Sequence, residues 1–84
     1  MSNKSIEKDW TDIASKQLLG LRIVKVRYMS AEEAEEMGWV SRPVVLQLSN
    51  GNVIFPSSDD EGNDGGAIFT NDETDGVLPV LRDN

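Results

Sequence analysis

The chain has 84 residues and a net charge of −7, from fifteen acidic and eight basic side chains, and it contains neither cysteine nor histidine. A single domain this short removes only about 60–65% of its unfolded surface from water, so its core must be thin. The missing residue types exclude disulfides, thiolate nucleophiles, Ser-His-Asp catalysis and zinc-finger chemistry, and the acidic balance argues against direct contact with nucleic-acid phosphates.

The longest apolar runs, Val44–Leu46 and Val53–Phe55, fall well short of the roughly 20 residues needed to cross a bilayer. The polar start Met1–Ser5 does not resemble a secretory leader, and a cytoplasmic location is expected. Charge is unevenly placed. Residues 1–42 hold seven acids and seven bases, whereas residues 43–84 hold eight acids and only Arg82, so the whole deficit lies in the second half.

Ile6, Trp10, Ile13, Ala14 and Gln17 or Leu18 recur at helical spacing. The spacing predicts a helix over about 6–18, capped by Ser5 and ended by Gly20, with its Trp10–Ile13 stripe against a sheet. Residues 1–5 are expected to fray. Leu21–Tyr28 then alternates: Val24, Val26 and Tyr28 fall on one face, and Ile23, Lys25 and Arg27 on the other, which predicts a strand with a basic, wet side. In Ser30–Gly38, Ser30 and Glu33 form an S-x-x-E capping box and Gly38 is placed to end a two-turn helix. Glu35 and Glu36 oppose the negative end of that helix, so packing of Ala34 and Met37 must hold it.

Val44–Ser49, Asn50-Gly51 and Asn52–Phe55 read as a β-hairpin. A two-residue Asn-Gly loop favours a type I′ turn, which would set Leu48 opposite Val53 and Leu46 opposite Phe55, all four on one core face. Pro43 and Pro56 bound the hairpin, where a missing amide donor does least harm. Gly66–Phe69 reads as a short strand, Thr70–Gly76 as a second acidic loop, and Val77–Leu81 as a last strand that Pro79 confines to an edge or a bulge. Residues 1–84 therefore form one mainly β (α+β) domain. The expected architecture is a small five-stranded antiparallel curled sheet or SH3-like barrel, with an N-terminal helix and a short second helix. An open sheet with the first helix packed across it is the alternative.

Ser57-Ser58-Asp59-Asp60-Glu61-Gly62-Asn63-Asp64-Gly65-Gly66 is the stretch densest in groups able to bind a partner. Asp60, Gly62, Asp64 and Gly65 fall at positions 1, 3, 5 and 6 of a calcium-loop pattern, but position 3 is Gly62 and position 12 is Asn71, so this is not an EF-hand. A looser hard-cation site would draw on Asp59, Asp60, Glu61, Asp64 and backbone carbonyls; no metal is assigned. No nucleophile–base pair can be assembled, no catalytic residue is named, and no cofactor is expected. The bland alternative is a loop that folds on itself through its own hydroxyls and carboxylates, with glycines supplying unusual backbone angles. Trp39 reads as a lid on the core. Arg42 is placed to pair with Asp59, Asp60 or Glu61, and Lys25 and Arg27 offer either a second basic partner for the loop or a separate basic patch.

The segments Gly38–Gly51 and Phe55–Phe69 resemble a family of small uncharacterised bacterial proteins that share a G-W-x-x-R-P segment, a hairpin and a P-S-x-D-D-E-G-N loop. The resemblance covers about half of the chain. It implies a domain type and a focal loop, not a reaction, with Trp39, Arg42, Pro43, Ser57, Asp59, Asp60, Glu61, Gly62 and Asn63 carrying the signature. The functional expectation is a non-enzymatic interaction module that presents the loop 57–66 to a protein partner or in self-association. Its binding residues would be Trp39, Arg42, Ser57, Ser58, Asp59, Asp60, Glu61, Asn63 and Asp64, with no direct nucleic-acid or membrane contact. A divalent-cation-binding domain using the same loop is the alternative. An acidic mimic of nucleic acid ranks third, because the charges cluster in two loops instead of spreading over one face.

Overall fold

Two prolines divide the strands of this chain among three small sheets. The computed structural model describes residues 3–83. Helix α1 (Asn3–Leu18) ends as the sequence suggests, with Gly20 left-handed at φ 81°. Its start differs: the helix already runs from Asn3, so Ser5 lies inside its first turn and not at its cap. The remainder of the expected frayed start, residues 1 and 2, lies outside the described residues. The apolar stripe is real, but among the described residues no strand covers it. Ile6 and Ile13 are exposed and Trp10 is 65% exposed. The expected packing of α1 on a sheet is therefore corrected.

The remaining elements are β1 (Ile23–Tyr28), α2 (Ala31–Met37), β2 (Ser41–Arg42), β3 (Val44–Leu48), β4 (Val53–Ile54), β5 (Ile68–Phe69), β6 (Val77–Leu78) and β7 (Leu81–Arg82). All pairs are antiparallel: β1-β3-β4 with β3 central, β2 with β7, and β5 with β6. The α+β class is as expected, but among the described residues there is no closed barrel. Pro43 separates β2 from β3, and Pro79 with Val80 separates β6 from β7. Each proline hands one stretch of chain from one sheet to another, because it removes the donor that would continue the ladder. The single last strand expected over Val77–Leu81 is thus two strands in two sheets.

The three-stranded sheet meets other elements on both sides. Beyond one side of it lie Met29, Ala34 and Trp39, packed with Val45 and Phe55. On the other side Ile68 joins Leu46 and Ile54 around a shallow apolar hollow, and the Tyr28 hydroxyl donates to the Pro79 carbonyl at 2.8 Å. Val26 pairs with Leu46 on that second side but sits at the open edge, 60% exposed, so the core face read for Val24 and Val26 is corrected too. On the first side Arg27 is not simply wet. Its guanidinium donates to both Glu33 carboxylate oxygens at 2.7 and 3.0 Å.

The hairpin forms, but its register is one residue away from the expected one. The Gly51 amide donates to the Leu48 carbonyl at 2.9 Å, and the Leu48 amide to the Asn52 carbonyl at 2.8 Å. Among the described residues no non-glycine has positive φ, so Asn50 does not adopt what a type I′ turn demands; Gly51 has φ 92°. The loop is therefore Ser49–Gly51, a type I turn followed by a left-handed glycine. The extra residue sets Leu46 opposite Ile54 and Gln47 opposite Val53. Because side chains alternate, the slip moves Phe55 to the Val45 side. There its ring meets the Trp39 indole edge-on, with centroids 5.8 Å apart at 70°.

Helix α2 matches its sequence signals closely. Both arms of the capping box are present, and Gly38 closes the helix at φ 75°. Ala34 is buried as expected, whereas Met37 is exposed and does not anchor the helix. The second anchor is Glu33, which serves the cap and Arg27 together.

Two substitutions test this reading by urea unfolding. Gly51→Ala places a Cβ in the left-handed region and is expected to cost about 1 kcal/mol. Ser30→Ala removes the cap and is expected to cost about 1 kcal/mol, or about 4–8 °C in melting temperature for a chain this short. A Gly51→Ala variant as stable as the wild type would exclude the left-handed glycine and its register.

Candidate functional site: an acidic loop clasped to strand β2

Past Pro56 the chain leaves and returns through a closed ring of backbone contacts. Ser57 and Gly65 form an antiparallel bridge, the Ser58 amide donates to the Asp64 carbonyl at 2.8 Å, and the Gly66 amide to the Pro56 carbonyl at 3.0 Å. Within the ring, Asp59 organises the tip. Its Oδ1 accepts from the Glu61 and Asn63 amides at 3.0 and 3.2 Å, and its Oδ2 accepts from the Asn63 side-chain amide at 2.9 Å. Gly62 supplies the positive φ, 73°, that lets the chain turn there. The Ser57 hydroxyl donates to the Asp64 carbonyl at 3.1 Å. The self-satisfied loop weighed from the sequence is thus the observed one, built from Asx-type turns.

Two contacts fasten the loop to the body. The Trp39 indole N–H donates to the Gly62 carbonyl at 2.7 Å. The Asp64 carboxylate turns inward: Oδ1 accepts from the amides of Val40 (3.2 Å), Ser41 (2.9 Å) and Gly65 (2.9 Å), while Oδ2 accepts the Ser41 hydroxyl at 3.0 Å. Ser41 is wholly buried. The fit leaves no room for larger residues behind the loop. A Cβ on Gly65 would lie 2.5 Å from the Ser41 carbonyl oxygen, and one on Gly66 would lie 2.7 Å from the Ser57 carbonyl oxygen.

These bonds sort the acids by role. The Ser41 amide, followed by the other donors around it, holds the Asp64 carboxyl below the usual carboxylate range against the opposing effect of desolvation. The Asn63 side chain and amide do the same for Asp59. Asp60 and Glu61 differ: both are exposed at the tip, and among the described residues their side chains accept no hydrogen bond. Ser58 is exposed beside them.

The remaining predicted site residues divide as follows. Trp39 is both core and clasp. Arg42 is brought to the opposite side and does not meet the loop; its guanidinium donates to the Met29 carbonyl at 3.1 Å and to Asp83 at 2.9 Å. The expected pairing of Arg42 with Asp59, Asp60 or Glu61 is therefore corrected. Neither Lys25 nor Arg27 joins the loop; Arg27 is bound by Glu33. Nothing in the sequence marks Ser41. A lone serine before Arg-Pro carries no signal of burial, and only its partner Asp64 explains it. Among the described residues no group of three or more acidic side chains is arranged to hold a metal ion. No protein-family model, no curated protein and no solved structure matches the chain.

Ser41→Ala removes one charge-assisted hydrogen bond in a buried position and is expected to cost about 1.5–3 kcal/mol. Asp64→Ala strands several donors at once and is expected to destabilise more than Ser41→Ala; the reverse order in urea unfolding would overturn the clasp. The pH dependence follows from sign. Asp59, Asp64 and Glu33 all have folded pKa values below their unfolded ones, Glu33 at about 2 under the Arg27 guanidinium and the Ser30 cap. Their contribution is complete above the ordinary carboxylate range, about pH 4, and is lost as pH falls through the folded values. Melting temperature should therefore be flat from about pH 7 to 5 and drop below about pH 4. Asp64→Asn should show a smaller acid-induced drop.

Proposed function

We propose that this chain is a non-enzymatic interaction module whose ordered acidic loop, residues 57–66, is presented to a protein partner. One observation carries the reading: Asp59 and Asp64 are consumed in fixing the loop, which leaves Asp60 and Glu61 exposed and uncompensated on a pre-organised tip. A loop ordered before binding loses less entropy on contact than a flexible one. An SH3-like curl of the sheets belongs to the same proposal. It is supported by β2 and β3, which are one stretch of chain bent at Pro43 and shared between two sheets. A cytoplasmic location remains part of the reading; among the described residues no helix is long and apolar enough to cross a membrane. The signature residues of the resembled family support treating residues 38–43 and 57–65 as one unit, since Trp39 and the residue pair after it hold Gly62 and Asp64.

The cation alternative draws less support, because the oxygens of Asp59 and Asp64 already accept amides. Millimolar Ca²⁺, Mg²⁺ or Mn²⁺ is expected to leave the melting temperature unchanged. A stabilisation approaching about 2.7 kcal/mol, the value for ligand at 100 times its Kd, would favour the cation reading instead. The partner reading is tested by capture on immobilised full-length chain. Asp60→Asn with Glu61→Gln should abolish capture, whereas Glu73→Gln with Asp75→Asn, which removes the same charge from the other acidic loop, should not. Equal loss in both variants, or in neither, overturns it.

A further inference from the structure

We propose that the cleft between α1 and the acidic loop receives a basic, partly apolar segment of the partner, with a Lys or Arg side chain lying between the Trp10 indole and the Asp60 carboxylate. This rests on the preceding reading that Asp60 and Glu61 face a partner. It adds a second wall to the site and names the chemistry that fills it.

Trp10 and Asp60 line one open cleft of about 620 Å³. Trp10 is the centre of the apolar stripe that no part of the described chain covers, flanked along the helix by exposed Ile6 and Ile13. The facing wall carries the exposed Asp60 carboxylate, with exposed Glu61 next to it in the chain. An apolar peptide would meet uncompensated charge there, and an acidic one would be repelled. A Lys or Arg side chain satisfies both walls, because its aliphatic stem packs against the indole while its cationic head sits over the ring and reaches the carboxylate. A second copy of this chain is disfavoured as occupant. Each copy carries a charge of −7, so two copies repel on approach. The same field that repels a copy draws in a basic segment.

The test uses full-length chain and a fluorescein-labelled ten-residue peptide of alternating Arg and Leu, with a Gln-Leu peptide of the same length as control. Binding is followed by fluorescence anisotropy, and light scattering on each variant reports the oligomeric state. The Arg-Leu peptide should bind and the Gln-Leu peptide should not. Trp10→Ala should weaken binding at least about fivefold, and Trp10→Phe should weaken it less, since phenylalanine retains a ring face. Because Trp10 is largely in water, both variants should keep the wild-type circular dichroism and melting temperature. Asp60→Asn with Glu61→Gln should weaken binding at least as much, and Glu73→Gln with Asp75→Asn should stay within about twofold of wild type. If Trp10→Ala binds like wild type while the loop variant is impaired, the cleft is overturned and the loop reading stands. If both charge variants are impaired alike, the attraction is general and both readings fall. A dimer that is lost in Trp10→Ala, with no peptide bound, would identify a second copy as the occupant and overturn the proposal.

Discussion

The carboxylate of Asp64 is the group on which the candidate site depends. Ser41 is wholly buried, and a buried hydroxyl and amide must find acceptors or cost free energy comparable to a lost hydrogen bond. Asp64 supplies both, and it takes the Val40 amide as well. Two residues earlier the Trp39 indole, fixed in the core against Phe55, holds the Gly62 carbonyl. Residues 39–41 thus grip residues 62–64. The core residue Trp39 and the exposed tip at Asp60 are separated by a few bonds of rigid structure, so the orientation of the tip is set by the same packing that stabilises the fold.

How much of this was legible depends on the range of the interaction. The second helix is specified within nine residues, Ser30 to Gly38, and both of its ends were readable because a capping box and a left-handed glycine are local devices. The hairpin was readable as a hairpin, but not in register. Asn50-Gly51 suits a two-residue turn and also a three-residue loop with a glycine bulge, since the glycine tolerates positive φ in either. What accompanies the second choice is distant: with that register Phe55 reaches the Trp39 ring. The strand after Val77 misled for a related reason. Pro79 signals an interruption, and it takes the partner strands β5 and β2 to show that the chain changes sheet there.

The candidate site shows the same division. Composition marks Asp59, Asp60, Glu61 and Asp64 as equivalent acids in one loop. Geometry makes them unlike, two bound inward by amides and two left outward. The inward role of Asp59 has a local signature, an aspartate followed by an asparagine four residues on, with a glycine between. That of Asp64 has none, because the donors that draw it to the body, at Val40 and Ser41, lie more than twenty residues away. Arg42 was misplaced for the converse reason. The hairpin register brings its backbone near the loop, but alternation along β2 sends its side chain toward Met29 and Asp83.

The thin core and the strong negative charge are two sides of one arrangement. Buried apolar side chains are few, chiefly Met29, Ala34, Trp39, Val44, Val45 and Leu48, whereas Trp10, Val24, Val26 and Phe69 remain largely in water. Exposed apolar surface of this kind ordinarily drives copies together. A net charge of −7 concentrated in the second half of the chain opposes that association at every approach that brings two acidic loops near each other. The repulsion is selective by sign. Under the proposed reading it keeps like chains apart without covering the indole or the edge strand, and so leaves both open to a partner surface of the opposite charge.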